Sequence, residues 1–311
     1  MGVVGRYTGT STLSNGLGDI NDNGTITSHA LTGSVSAPDQ YSRSTATMVI
    51  GAYTFKLAIY ALRPEAAFAI DVDPVGSGAV LTGFVDQQLN AGRYGNANLG
   101  SPFVFTTWGT ITSSPATSDT RIGVSSGSIP ASGTLDLEMD AVTGSVSTVD
   151  QTVPVVYSVA TSGRGTMSYT LGKPYNYVLY LYDSNAGFML QTDTAGTVQF
   201  GFFEAQDIVP FNNALINGIF TGAGWFNPLS TSPTVAAQYD FENGNISATT
   251  PAGALTGSYN VSATGRGTST VSQPVFGSNN IVFYIINSKS VAVMGADAVA
   301  SKGDAINYLN Q

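Results

Sequence analysis

One pattern occurs three times along the 311 residues. Self-similarity at a spacing of about a hundred residues points to tandem units, each with its own core, in place of one large fold. The first copy runs from Thr54 to Tyr60, then Ala66 to Ile70, Asp73 and Gly83 to Gln87. The second runs from Asn176 to Tyr182, then Gly187 to Leu190, Asp193 and Gly201 to Gln206. The third runs from Asn280 to Ile286, then Val291 to Met294, Asp297 and Ile306 to Gln311. Each reads as three short strands joined by tight turns, an antiparallel meander that closes on glutamine. Tyr60, Tyr180 and Tyr284 occupy one position in the three copies.

Upstream, Tyr157-Ser158-Val159 followed by Gly163-Arg164-Gly165-Thr166 matches Tyr259-Asn260-Val261 followed by Gly265-Arg266-Gly267-Thr268. The first copy has only Val35 followed by Arg43-Ser44-Thr45. Thr-Gly-Ser recurs at Thr32, Thr143 and Thr256 and serves as a further alignment point. Boundaries after Gln88 and Gln206 divide the chain into units 1–88, 89–206 and 207–311. Ahead of Thr-Gly-Ser the units hold 31, 54 and 49 residues, at positions 1–31, 89–142 and 207–255. At about 5 to 6 residues per strand, the first unit is short by one or two strands and their turns. Such a unit exposes an unpaired sheet edge, to be completed by removed sequence, by another part of this chain or by a strand from a neighbouring molecule.

Hydrophobic residues make up 42% of the chain and charged residues 10%, which excludes a disordered polymer. Abundant Thr and Ser with 36 Gly, 15 Tyr and 15 Phe is the usage of short strands and tight turns. The net charge of −9, with basic residues that never cluster, argues against nucleic acid. No apolar run approaches the roughly 18 to 20 residues of a membrane-spanning helix. The start at Met1 has neither a basic nor an apolar leader region, so no signal peptide is read there. With no cysteine there is no disulfide, thiolate metal site or cysteine nucleophile. The Ser/Thr/Gly-rich, lysine-poor, acidic composition suits an extracellular or cell-surface location.

In Tyr177 to Tyr182 both alternating faces are apolar or aromatic, and the same holds for Ile281 to Ile286. A strand wet on one side alternates polar and apolar residues, so these strands are expected to be covered on both sides by other units or subunits. Tyr60, Tyr180 and Tyr284 are accordingly the candidate assembly residues.

Candidate chemistry is sparse. A Ser-His-Asp triad would have to use His29, the lone histidine, and no nucleophile context accompanies it. One histidine and no cysteine do not make a zinc site of the usual kind. The four glutamates, Glu65, Glu138, Glu204 and Glu242, lie in unrelated contexts, and sequence alone assembles no glycosidase pair from them. Asp19, Asn21 and Asn23 place oxygen donors at positions 1, 3 and 5 of a calcium-type loop with Gly24 at 6, but position 12 is Ala30. An Asn-Gly hairpin is the favoured reading, with a weak calcium site as the alternative and no other cofactor implied. Asn243-Gly244 is aligned with Asn23-Gly24 as the same turn of the third unit. The Gly-Arg-Gly segments read as tight turns carrying exposed arginines. Trp108 and Trp225 lie early in units 2 and 3 and are the candidate contacts for a glycan, set against burial in the core.

Asn-Gly-Asn-Ile-Ser from Asn243, Thr-Gly-Ser-Tyr from Thr256, Gly-Arg-Gly-Thr from Gly265 and the meander ending in glutamine together resemble a tandem β repeat of large secreted bacterial proteins of unassigned function. The resemblance implies secretion and tandem β units, and it assigns no catalytic residue. The expectation is an all-β chain of three tandem antiparallel units, small barrels or sandwiches, the first incomplete. Functionally it is a non-enzymatic extracellular structural protein that self-associates as a homo-oligomer or polymer, a fibre or surface-layer subunit assembled by strand pairing. The alternative is a carbohydrate- or small-ligand-binding β module.

Overall fold

The structure is a computed structural model that describes residues 1–73, 81–111, 117–126, 132–193, 197–207, 209–225, 237–250, 253–275, 278–297 and 306–311. It is all-β, with no α-helix among the described residues and so no helix long and apolar enough to cross a membrane. Unit 1 comprises β1 (Gly2–Thr8), β2 (Thr12–Asp22), β3 (Thr25–Val35), β4 (Arg43–Ile50), β5 (Tyr53–Arg63), β6 (Ala66–Asp71) and β7 (Thr82–Asp86). Unit 2 comprises β8 (Phe103–Ile111), β9 (Thr117–Ser125), β10 (Thr134–Thr143), β11 (Val146–Val159), β12 (Arg164–Leu171), β13 (Lys173–Asp183), β14 (Ala186–Gln191) and β15 (Thr197–Ala205). Unit 3 comprises β16 (Gly218–Trp225), β17 (Ala237–Glu242), β18 (Asn245–Thr250), β19 (Gly253–Val261), β20 (Arg266–Val275), β21 (Ser278–Asn287), β22 (Ser290–Gly295) and β23 (Ile306–Asn310).

In every unit, spatial order follows chain order, so each strand pairs with the next through a hairpin. Units 2 and 3 close into eight-stranded barrels, β8 pairing with β15 and β16 with β23. Closure follows from parity: in an up-and-down meander of eight strands the first and last run in opposite directions and pair antiparallel. Among the described residues unit 1 has seven strands, so β1 and β7 run the same way and do not join, leaving an open sheet. The registers identify what it lacks. Arg43 pairs with Tyr60 as Arg164 does with Tyr180 and Arg266 with Tyr284, which makes β4 to β7 the counterparts of β12 to β15 and β20 to β23. Counting back, β1 corresponds to β9 and to β17. The missing strand is therefore the first one, the counterpart of β8 and β16.

The same registers correct two alignments made on turn motifs. Asn23-Gly24 joins β2 to β3 whereas Asn243-Gly244 joins β17 to β18, one hairpin earlier in the unit. Thr143 ends β10 at a turn, whereas Thr32 and Thr256 lie inside the equivalent strands β3 and β19. The Asn-Gly turns do have positive φ at both central residues, 53° and 87° at Asn23 and Gly24 and 48° and 91° at Asn243 and Gly244. That is the backbone twist two-residue hairpins select.

Alternation fills the barrels. In unit 2 the inward residues Phe105, Leu137, Met139, Tyr157, Tyr177, Leu179 and Phe203 belong to one buried core, and in unit 3 Phe220, Phe241, Tyr259, Ile281 and Phe283 do the same. Unit 1 has a smaller core of Leu13, Ile20, Leu31, Ile50 and Phe55, flanked by half-buried Val3, Tyr7, Leu57 and Leu81. Where the eighth strand is missing, the interior stays partly wet.

Candidate functional site: the junctions between units

The outward faces meet at two junctions built alike. Between units 1 and 2, Val4 packs on Val178, Tyr180 and Leu190. Between units 2 and 3, Val104, Ile122, Val124 and Val142 pack on Val282, Tyr284, Ile286, Ala292 and Met294. Tyr177, Leu179 and Leu181 fill barrel 2 while Val178 and Tyr180 lie against unit 1, so β13 is apolar on both faces because both are covered.

On each apolar floor sits one carboxylate with an arginine and a tyrosine. Arg164 donates from Nε and Nη2 to the two oxygens of Asp19, both at 2.9 Å, and the Tyr180 hydroxyl donates to Oδ2. Arg266 donates likewise to Asp140, at 2.8 and 2.7 Å, and the Tyr284 hydroxyl donates at 2.6 Å. Asp140 also accepts the backbone N–H of Asp150 at 2.9 Å. The arginine is aimed by its turn. The residue before it has positive φ, at Ser42 (60°), Gly163 (81°) and Gly265 (85°), and the turn hydrogen bonds repeat in all three units. A planar guanidinium clasping both oxygens is the strong form of ion pair and fixes orientation as well as charge. The Gly-Arg-Gly arginines are thus not the exposed residues the sequence suggested, with side-chain exposures of 32% at Arg164 and 12% at Arg266.

The electrostatics follow from burial. Burial alone would raise Asp19, but hydrogen bonds from Arg164, Tyr180 and Ser28 outweigh it and hold the carboxyl below its ordinary value. Burial, then the adjoining carboxylate, pushes Tyr180 and Tyr284 well up, so both stay protonated donors. Unit 1 carries the same arginine–tyrosine pair, Arg43 and Tyr60, but neither side chain has a hydrogen-bonding or ionic partner among the described residues, and Tyr60 is 42% exposed. Of the three candidate tyrosines, two therefore lie inside junctions and the third faces outward.

Glutamine latches reinforce each junction. Gln88 Nε2 donates to the carbonyls of Ser162 and Leu181, and Gln206 Nε2 to those of Thr264 and Ile285. Each latch grips the arginine turn of the following unit. Along one side, Phe84, Phe202 and Tyr308 hold equivalent positions, with ring centroids 6.4 and 4.8 Å apart. Beside them Glu204 and Asp86 are both raised, Glu204 by burial and then by the Asp86 charge, Asp86 by burial against the opposing pull of Arg63.

Inside barrel 2, Arg121 is fully buried, paired with Asp119 at 2.8 and 2.9 Å and lying 3.6 Å from the Tyr175 ring centroid. Nothing in the sequence signals this pair, because an arginine on a strand reads as outward. Trp108 sits in mid-strand on β8, half-buried edge-on to Phe200 and Phe202, while Trp225 ends β16 and its side chain lies outside the described residues. The oxygens of the calcium-type loop are spent elsewhere. Asp19 is held by Arg164, Asn21 Oδ1 accepts from Gly24 N while its amide donates to the Gln191 carbonyl, and Asn23 forms the turn. Among the described residues no three His, Cys, Asp or Glu side chains gather in a metal-holding group. His29 lies exposed on β3, beside the Gly51 turn.

Compared with known proteins, the chain matches no family model, no curated relative and no solved structure.

Proposed function

We propose that the protein is a non-enzymatic structural subunit, working outside the cell or at its surface, that self-associates through strand pairing at unit 1. The observation that carries this reading is the seven-stranded sheet of unit 1, open at β1 and β7 beside two barrels that the same meander closes with eight. Unpaired strand edges are templates for another chain, and natural proteins normally blunt or cover them. The intramolecular junctions supply a second reason. This surface chemistry already builds large buried contacts between units, which is what a structural array requires. The acidic, cysteine-free, hydroxyl-rich composition supports the extracellular placement.

Sedimentation velocity across a hundredfold concentration range, with negative-stain microscopy of the same samples, tests the proposal. The expected result is concentration-dependent growth into regular fibres or sheets. A chain that sediments as a monomer at every concentration refutes self-association.

A further inference from the structure

We infer that unit 1 is a receptor for one extended peptide strand from outside residues 1–311, entering between β7 and β1 with a defined direction, register and residue pattern. The inference rests on the same open edges as the proposed self-association, but it concerns what the slot recognises and stands apart from whether the protein assembles.

The closed barrel of unit 2 supplies the template. There β8 runs antiparallel to both neighbours, with Val104 between Glu204 and Val124, Phe105 between Phe203 and Gly123, Thr106 between Phe202 and Ile122, and Thr107 between Gly201 and Arg121. The equivalents in unit 1 follow from the registers. Asp86 and Arg6 flank the first of these positions, Val85 and Gly5 the second, Phe84 and Val4 the third, and Gly83 and Val3 the fourth.

One glycine marks the vacancy that a strand would fill. A Cβ on Gly201 would meet the Thr106 carbonyl oxygen at 1.9 Å, because β8 lies against it; a Cβ on its counterpart Gly83 meets nothing within 4 Å. A Cβ on Gly123 would meet the Phe105 ring at 2.5 Å and the Glu138 carbonyl at 2.6 Å, and a Cβ on Gly5 the Leu17 carbonyl at 2.7 Å; the adjoining strand, β10 or β2, requires glycine at both places, and the bare backbone leaves room beside it for an inward aromatic from the other side. The rim is polar at one end, where Asp86 stands and where Arg6 Nε is buried without a hydrogen-bond partner.

The ligand follows from these contacts. It is an extended segment of five or more residues, antiparallel to β1 and β7, donating and accepting along two free backbone edges. Its inward residues are apolar, with an aromatic opposite Gly5 and an aliphatic opposite Gly83 and Val3, where Val3 replaces the charged Arg121 of the closed barrel. Its outward residues place a polar or hydroxyl group between Asp86 and Arg6 and an apolar group between Phe84 and Val4.

The probe is a synthetic, dye-labelled peptide with the β8 sequence Phe103–Ile111 altered to the stated pattern by Val104→Thr, Thr106→Val and Thr107→Val, with a lysine tail, titrated against the full chain by fluorescence anisotropy. Saturable binding is expected. A peptide with aspartate in place of the inward phenylalanine that Phe105 represents is expected to bind at least tenfold more weakly. The decisive variant is Gly83→Val. The free chain has room for this side chain, but it occupies the space an incoming backbone needs, so binding should fall at least tenfold while circular dichroism and urea stability stay at wild-type values. No binding to the wild-type chain, or equal binding to Gly83→Val, overturns the inference. A monomeric chain that still binds the peptide in a Gly83-dependent way supports the slot and refutes only self-association. Assembly that ignores both the peptide and Gly83→Val overturns the slot while leaving self-association in place.

Discussion

Removing the Asp140 carboxylate should separate unit 3 from unit 2 energetically. Asp140 is fully buried, and the substitution Asp140→Ala strands two partners at once. Arg266, 12% exposed, loses both of its short hydrogen bonds, and the buried Tyr284 hydroxyl loses its acceptor. Breaking a buried ion pair by deleting one member costs about 3 to 5 kcal/mol, and an unsatisfied buried hydroxyl about 1 to 3. These do not add, because one relaxation serves both groups and the Asp150 carboxylate, 3.8 Å from Arg266, takes up part of the charge. A loss of about 3 to 4 kcal/mol is expected. At the other junction Arg164 reaches water more easily, so Asp19→Ala should cost about 2 kcal/mol. Urea titration, which leaves ionic strength unchanged, followed by tryptophan fluorescence gives both values. A double-mutant cycle of Asp140→Ala with Arg266→Ala should return a coupling of at least about 1.5 kcal/mol. A loss under about 1 kcal/mol, or additive single effects, would mean that the apolar floor holds the junction and the ion pair merely decorates it.

Two further outcomes follow from the packing. Gly201→Ala pushes a methyl into the Thr106 carbonyl and should cost about 2 to 4 kcal/mol in thermal or urea unfolding, while Gly83→Ala, at the equivalent open position, should be neutral or gain a few tenths. Glu204 has a folded pKa raised above the ordinary carboxylate value, so the stability it contributes is complete below about pH 4 and is lost as pH rises through the raised value. Glu204→Gln should therefore be more stable than wild type at neutral pH, equal to it at low pH, and flatter across the interval between; a Tm profile that keeps the wild-type slope would contradict the placement of Glu204.

The closing meanders and the equivalence of Tyr60, Tyr180 and Tyr284 were legible in the sequence because consecutive hairpins are local and repeat in register. The shortfall in unit 1 was legible from counting alone. Turn motifs misled when used as alignment marks. Asn243-Gly244 and Thr143-Gly144-Ser145 report a local backbone twist, and any hairpin of the unit can employ it. The junction carboxylates were out of reach for a different reason. Asp19 and Arg164 are separated by 145 positions and Asp140 and Arg266 by 126, and an aspartate on a strand carries no mark of its partner. The nearest available signal was the two-sided apolar strand carrying each tyrosine, which announced a covered face without naming what covers it.

The junction is heterologous: one unit offers an outward aspartate from its third-strand position, and the next offers an arginine and a tyrosine from its fifth and sixth. In unit 1 Arg43 and Tyr60 have no carboxylate partner among the described residues, and leaving them so is cheap, since Tyr60 stays in contact with water, whereas Tyr284 at the same position is fully buried. A buried tyrosine and arginine demand their acid, and exposed ones do not. The energetic need for a neighbour is thus built into the covered arginine–tyrosine faces of units 2 and 3 and relaxed on the exposed one of unit 1. Unit 1 is relaxed in this way on its Arg43 face but not along β1 and β7, the outer strands of its sheet, so its demand for a partner falls on the strand slot between them.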